Sequence, residues 1–95
     1  MNIDKYLYET ADIDVDTKEY IEYEINKYCV GSYAIKYIGA KLENDNVYII
    51  LVRDVSYDTY SVWEYNIVNK NIEFNGIYDT DFETASRFFL NCVES

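Results

Sequence analysis

A chain of 95 residues lies just below the most common size of one domain, and no Pro-rich, Ser-rich or low-complexity stretch divides it. We therefore expect residues 1–95 to form a single domain, and a hydrophobic content of 49% with 18% aromatic residues argues against intrinsic disorder. The net charge of −10, from 18 acidic and 8 basic residues, argues against direct binding to nucleic acid or to an anionic membrane surface.

The sequence has none of the usual marks of an exported protein, a membrane protein or an enzyme. Its longest nearly uncharged apolar run, residues 47–52, is far too short to span a bilayer, and its first four residues lack the basic start of a secretory signal. We therefore expect a cytoplasmic protein in which Cys29 and Cys92 are thiols. The absence of His removes the usual proton shuttle and the commonest transition-metal ligand, so we expect no catalytic residues, no metal site and no cofactor.

The first third of the chain predicts one long helix. Apolar residues near the N-terminus have the spacing of a short amphipathic turn or helix. Asp16 followed by Glu19 then has the pattern of a capping box, and apolar residues recur with helical period at positions 21, 25, 28 and 29. This pattern predicts a helix at about 17–30, with Gly31 as its C-terminal stop.

From residue 32 the apolar period changes to two, which is typical of a β-strand. Tyr33, Ile35 and Tyr37 are expected on one face of this first strand. A cluster of polar residues at 43–46 predicts a turn. The β-branched run at 47–53 then predicts a second strand that is buried on both faces or nearly so.

Two further strands follow. The segment 60–67 alternates so that Trp63 and Tyr65 form the aromatic face of the third strand. A turn of Asn and Lys residues leads into the fourth strand at 72–78, where Gly76 predicts a bulge.

The chain closes with a second predicted helix. Thr80 followed by Glu83 forms a capping box, and apolar residues then share one face of a helix at about 81–93. These apolar residues are Phe82, Ala85, Phe89, Cys92 and Val93. The order of elements predicts an α+β fold, an antiparallel four-stranded meander covered on one face by the N-terminal and C-terminal helices.

The sharpest local feature is the alternation of Asp12, Asp14 and Asp16 with apolar residues. In an extended strand these carboxylates would lie about 6.6 Å apart on one face, a spacing comparable to that of successive phosphates. A calcium loop of the EF-hand type would need Gly at Thr17 and Glu at Tyr23, so the segment fails at two defining positions.

The same segment also fits a solvated edge or cap region in which Ile13 and Val15 face the core. The acids continue into the helix, where Glu19 and Glu22 lie on the same side. Residues 1–24 hold eight acids and two lysines, so −6 of the net charge of −10 falls in this quarter of the chain. Uneven charge favours contact with a cationic protein surface, and the alternative is that it only maintains solubility.

Twelve tyrosines are the second unusual feature of the composition. Tyrosine is a rigid amphipathic anchor that is enriched at binding interfaces, and Tyr20 and Tyr23 are interleaved with the acids. Core filling, or an A+T-rich coding sequence, would also produce many tyrosines. A second aromatic group is expected to pack across strands and not to line a ligand groove. This group consists of Trp63, Tyr65, Phe74 and Tyr78.

As a very short, His-free, Tyr-rich and acidic α+β chain, the protein resembles the anti-CRISPR proteins of phages and mobile elements. Residues 60–66, and residues 76–78 leading into 82–85, also look like small mobile-element proteins. Several anti-CRISPR proteins resemble DNA mimics, which present carboxylates to a basic groove made for nucleic acid. The resemblance implies occlusion of an RNA-guided nuclease in the cytoplasm of the host cell.

The leading hypothesis is a non-enzymatic inhibitor that binds the basic nucleic-acid-binding surface of a CRISPR effector or other nuclease. Its predicted partner-binding residues are Asp12, Asp14, Asp16, Glu19, Glu22, Tyr20 and Tyr23. Two alternatives remain open: an immunity or antitoxin partner of a co-encoded toxin, and an accessory structural protein that associates with itself through exposed tyrosines.

Overall fold

The computed structural model describes residues 2–28 and 32–94, which form two α-helices and four β-strands. In chain order these are α1 (Val15–Tyr28), β1 (Tyr33–Lys41), β2 (Asn44–Asp54), β3 (Thr59–Asn66), β4 (Asn71–Thr80) and α2 (Phe82–Glu94). The amphipathic segment expected near the N-terminus is a pair of 3-10 helices, Ile3–Tyr6 and Tyr8–Thr10. The predicted end of the first helix, with Cys29 and the stop at Gly31, lies outside the described residues.

The four strands form one antiparallel sheet in the order β1-β2-β3-β4. Each strand pairs with the next strand along the chain, so tight turns are enough to connect them. The first turn is shorter than predicted, because Lys41 already pairs with Asn44 and the polar residues 44–46 extend β2. The α+β class and the antiparallel meander are confirmed.

The two helices pack on opposite faces of the sheet. Ile50 and Val52 of β2 pack in one core with α1, whereas Ile49 and Leu51 pack in a second core with α2. Successive residues of a strand point to opposite faces, so a strand that is apolar at every position needs cover on both sides. The predicted burial of the second strand on both faces is confirmed, and the expectation that both helices cover the same face is wrong.

A bulge interrupts the alternation predicted for the first strand. The register with β2 shifts between Ile35 and Tyr37, which leaves Lys36 as an extra residue. A bulge of this kind turns the following side chains to the other face. Tyr37 therefore packs in the core on the α2 side, away from Tyr33 and Ile35, which pack on the α1 side. The prediction that these three residues share one face is wrong.

The predicted irregularity at Gly76 is confirmed. Glu64 pairs with Glu73 and Val62 pairs with Ile77, so β4 has two more residues than β3 between these pairs. A Cβ atom at Gly76 would lie 1.9 Å from the carbonyl oxygen of Val62. A side chain at this position would force the two strands apart, so glycine is required by close backbone approach.

Helix α2 has the apolar face that the sequence predicted, with Ala85, Phe89 and Val93 buried. Its N-cap is Asp81 and not Thr80, because the Thr84 N–H donates a 2.7 Å hydrogen bond to Asp81 Oδ1. A carboxylate can cap a helix alone by accepting from the third residue after it, so the Thr-to-Glu pattern did not fix the start.

The described chain is tightly packed. Its radius of gyration is 12.1 Å, close to the about 12 Å expected for a compact chain of this length. Within residues 2–28 and 32–94, neither helix combines the length and apolar character needed to cross a bilayer.

Candidate partner-binding groove

Helix α1 lies on the sheet with one narrow apolar face and presents a polar face outward. Ile21 and Ile25 are buried against the sheet. The outward face and the turn between β3 and β4 border an open groove of about 920 Å³, here called the α1 groove. Its lining residues are Asp16, Thr17, Glu19, Tyr20, Glu22, Tyr23, Asn26, Tyr65, Ile67 and Lys70.

The α1 groove contains five of the seven residues predicted to contact a partner. These five are Asp16, Glu19, Tyr20, Glu22 and Tyr23. All five side chains are exposed to solvent. Helical geometry gathers them, because residues three or four positions apart lie on the same side of a helix.

Asp14 has a different role, as the N-cap of α1. Its Oδ1 accepts a 2.7 Å hydrogen bond from the Thr17 N–H, and its Oδ2 accepts one from Thr17 Oγ1 at 2.9 Å. These hydrogen bonds to the Thr17 backbone and hydroxyl hold the pKa of Asp14 below its usual value. The predicted cap at Asp16 is therefore wrong by two residues, and Asp16 lies in the first turn of the helix.

The expected ladder of three carboxylates along a strand does not form. Residues 11–14 are not part of a strand, and the helix has begun at Val15. Asp12 is exposed but is not among the residues that line the groove. The alternative reading as a cap region is closer, although only Ile13 packs against the core and Val15 is 68% exposed.

The acids of the α1 groove form no ion pairs within the described ranges 2–28 and 32–94. The four ion pairs found there join Lys5 to Glu94, Lys41 to Glu64, Arg53 to Asp58 and Arg87 to Glu83. None of these pairs uses Asp16, Glu19 or Glu22. A surface that holds three acids close together with one lysine beside them is favourable for an incoming positive charge.

Glu24, which continues the acidic run in sequence, belongs to the core side of α1. Its side chain is buried, unlike those of the groove acids. Burial is the main cause of the raised pKa of Tyr65, and the nearby Glu24 carboxylate contributes to it. Tyr65 therefore stays neutral and forms an apolar floor for the groove together with Ile67.

Two tyrosines and one lysine complete the groove. Tyr20 is 43% exposed and Tyr23 is 61% exposed, so both rings are accessible to a partner. The Lys70 ammonium, from the turn between β3 and β4, lies 4.7 Å from the centroid of the Tyr20 ring. This distance is within the range of a cation–π interaction.

Sequence patterns alone did not identify the other side of the groove. Tyr65, Ile67 and Lys70 come from the third strand and the turn after it, 37 to 42 residues after the end of α1 in the chain. They meet α1 only because the helix packs across the sheet, and no local pattern encodes that contact. The turn around Lys70 could be predicted from the sequence, but its contact with α1 could not.

Tyr8 supports the opposite flank of α1. It is partly buried, and its hydroxyl donates a 3.4 Å hydrogen bond to the Lys18 carbonyl oxygen. Burial, with a smaller contribution from the Glu22 carboxylate, raises the pKa of Tyr8 to about 12. Tyr8 is thus neutral at physiological pH and adds no charge beside the groove.

The predicted cross-strand aromatic packing is confirmed for the Trp63 ring. This ring lies 5.1 Å from the Tyr33 centroid and 4.9 Å from the Phe74 centroid, and it is buried. Cys92 carries a free thiol, whose pKa is raised by burial. In the part of the chain that the structure describes, no three Cys, Asp or Glu side chains gather as metal ligands.

Comparison of the chain with protein-family models, with curated proteins and with solved structures found no match. The chemistry of the α1 groove therefore rests on its own residues. It combines three exposed acids, two accessible tyrosine rings and an apolar floor. Such a surface is suited to binding a cationic protein segment.

Proposed function

We propose that this protein is a non-enzymatic inhibitor that uses the α1 groove to bind the basic nucleic-acid-binding surface of a CRISPR effector or other nuclease. One observation carries the proposal: five residues selected from the sequence for charge and tyrosine content line one open groove. The three acids among them take part in no ion pair within residues 2–28 and 32–94.

Charge supports a protein partner over a nucleic acid. The chain carries a net charge of −10, so it repels phosphates at long range and attracts cationic surfaces. Basic nucleic-acid-binding surfaces are built from Arg and Lys side chains that donate hydrogen bonds to phosphate, and carboxylates accept charge-assisted hydrogen bonds from the same groups. Carboxylates on α1 are thus able to replace phosphates at such a surface.

The two kinds of side chain in the groove have separate tasks in binding. The acids accelerate encounter, because electrostatic steering acts on the association rate and weakens with salt. The tyrosines slow dissociation, because their rings bury large apolar areas in the complex while the hydroxyls still form hydrogen bonds.

The assignment of a nuclease as the target follows from the resemblance in type to anti-CRISPR proteins. It requires that binding and nucleic acid exclude one another. The test starts from the protein that the wild-type chain captures in a host lysate. That protein is purified, and its cleavage of DNA is measured with the wild-type chain and with two triple variants.

The first variant combines Asp16→Asn, Glu19→Gln and Glu22→Gln, and leaves the helix cap at Asp14 intact. The second combines Glu43→Gln, Asp45→Asn and Glu73→Gln. This matched control removes the same charge at exposed positions outside the α1 groove and outside the four ion pairs.

We expect the wild-type chain and the control variant to inhibit cleavage, and the groove variant to lose at least about tenfold in potency, or 1.4 kcal/mol. Added DNA should compete with the wild-type chain for the partner. A partner without nuclease activity, such as a toxin of another kind, would contradict the proposal. Equal inhibition by the two triple variants would also contradict it.

A further inference from the structure

We propose that the α1 groove receives an arginine-bearing segment of the partner, and that its guanidinium stacks on Tyr20 in the position now held by the Lys70 ammonium. This inference rests on the proposed function and adds to it the chemical identity of the group that is bound. It makes Lys70 an internal occupant that the partner displaces.

The position of Lys70 is the first support. Its side chain crosses from the turn between β3 and β4 to the Tyr20 ring of α1, with the ammonium 4.7 Å from the ring centroid. The molecule's own cation thus identifies a spot on the groove where positive charge is stabilised. Lys70 is the cationic residue among those that line the groove.

The backbone under Lys70 is firmly held. Its N–H donates a 2.8 Å hydrogen bond to the Asn66 carbonyl oxygen. The Asn66 Oδ1 also accepts hydrogen bonds from the N–H groups of Val68 and Asn69, at 2.9 and 3.1 Å. The turn is therefore fixed, and only the flexible lysine side chain has to move when a guest enters.

The composition of the groove favours arginine over lysine as the guest. Tyr65 and Ile67 give it an apolar floor, and the Tyr20 and Tyr23 rings are exposed beside it. A guanidinium is planar, stacks on aromatic rings and is less strongly hydrated than an ammonium, so it loses less on entering such a surface.

Charge balance leaves the groove short of cations even with Lys70 in place. Asp16, Glu19 and Glu22 contribute three negative charges, and Lys70 contributes one positive charge. A guanidinium that displaces Lys70 can also form paired hydrogen bonds with a carboxylate, which an ammonium cannot do in the same fork geometry. The open groove, with a volume of about 920 Å³, is large enough to admit more than a single side chain.

The experiment titrates isotope-labelled protein with three short peptides and follows amide chemical shifts by NMR. The peptides share one sequence and carry arginine, lysine or neutral citrulline at the same positions. We expect the arginine peptide to bind with shifts centred on α1 and the 66–70 turn. The lysine peptide should bind about two- to fivefold more weakly, because an ammonium is more strongly hydrated and neither stacks flat on the ring nor forms paired hydrogen bonds with a carboxylate. The citrulline peptide should bind weakest.

Two pairs of variants separate displacement from general charge effects. Lys70→Gln should bind the arginine peptide about two- to fivefold more tightly than Lys36→Gln, an exposed lysine outside the groove that removes the same charge. Tyr20→Phe keeps the ring and should bind the arginine peptide like the wild-type chain. Tyr20→Leu should bind this peptide about two- to fivefold more weakly than the wild-type chain. Unchanged amide spectra elsewhere would show that each variant is folded.

Equal affinities for Lys70→Gln and Lys36→Gln, or wild-type affinity for Tyr20→Leu, would overturn the inference, as would shifts centred away from the groove. Such results with intact nuclease inhibition would leave the proposed function standing. If the arginine peptide binds as described but the captured partner lacks nuclease activity, the proposed function would be overturned and the inferred arginine site would stand.

Discussion

The two helices of this protein start in the same way and use their surfaces differently. Each begins after an aspartate that accepts hydrogen bonds from a threonine three residues later, Asp14 with Thr17 and Asp81 with Thr84. Helix α2 then buries three apolar side chains, and its acids at both ends are paired with cations. Among the side chains that the structure describes, helix α1 buries the apolar Ile21 and Ile25 and leaves its outward acids without ion pairs.

If the proposed function holds, this difference separates stability from binding within one small fold. The core on the α2 side includes Phe89, whose ring contacts those of Tyr6 and Tyr37 at centroid distances of 5.4 and 6.3 Å. The outward face of α1 has no such packing, so its side chains contribute little to folding and remain available for a partner. Substitutions on the buried face of α2 and on the outward face of α1 should therefore have opposite profiles.

The largest expected effect is on stability, from Phe89→Ala in α2. Phe89 is fully buried, so its truncation should lower the free energy of unfolding by about 3–5 kcal/mol through lost contacts and a residual cavity. Denaturant unfolding followed by circular dichroism measures this change. A loss below about 1 kcal/mol would mean that the α2 core does not support the fold as described.

Tyr23→Ala on α1 should show the reverse profile. Tyr23 is 61% exposed, so the free energy of unfolding should change by no more than about 0.5 kcal/mol. Dissociation from the partner should be about tenfold faster. Kinetic binding measurements on a sensor surface separate the two rate constants. Unchanged dissociation, or a stability loss like that of Phe89→Ala, would place Tyr23 outside the binding face.

The two aspartate caps predict a pH dependence that the helices share. Hydrogen bonds in the folded state lower the pKa values of Asp14 and Asp81, first through the N–H groups of Thr17 and Thr84. A folded-state pKa below the unfolded value, about 3.9 for Asp, contributes stability at higher pH that is lost as pH falls through the folded pKa. The free energy of unfolding should therefore decrease on acidification below about pH 4.

Substitution with asparagine provides the control for this prediction. Asn also caps helices well, so Asp14→Asn with Asp81→Asn should keep the helices at neutral pH while reducing the loss of stability in acid. Replacement of both residues by alanine should destabilise the protein at every pH. An acid transition that is identical in the wild-type and asparagine proteins would assign it to other carboxylates.

The smallest expected effect is from Arg87→Gln, which breaks the exposed pair with Glu83 on α2. The two side chains are 68% and 85% exposed and lie four residues apart on the helix. Such pairs contribute about 0.3–0.5 kcal/mol, so the free energy of unfolding should decrease only by that amount. A larger shift would show that ion pairing, and not apolar packing, distinguishes α2 from α1.

Local patterns predicted the parts of this fold that depend on neighbours in sequence. The apolar period of α2 and the strand alternation of β3 identified these elements, and the glycine at position 76 marked the bulge. The predicted helix caps lie one or two positions away from the observed caps, because several acids and threonines adjoin each helix start. The Asp-x-x-Thr spacing at Asp14 and Asp81 is the signal that would have located both.

Features that depend on tertiary packing could not be predicted. The two apolar faces of β2 require cover on both sides, but no local pattern indicates that α1 covers one face and α2 the other. The bulge at Lys36 has no glycine to mark it. The contact of Lys70 with Tyr20 joins residues fifty positions apart, so only the packed structure brings them together.

The central claim is that the exposed acids of α1 meet positive charge on a partner. Its most direct test is the association rate with the captured partner, measured between about 50 and 500 mM salt, where the screening length falls severalfold. The wild-type chain and the variant altered at Glu43, Asp45 and Glu73 should slow steeply with salt. The variant altered at Asp16, Glu19 and Glu22 should start slower and respond much less. Equal salt dependence of all three proteins would contradict the claim.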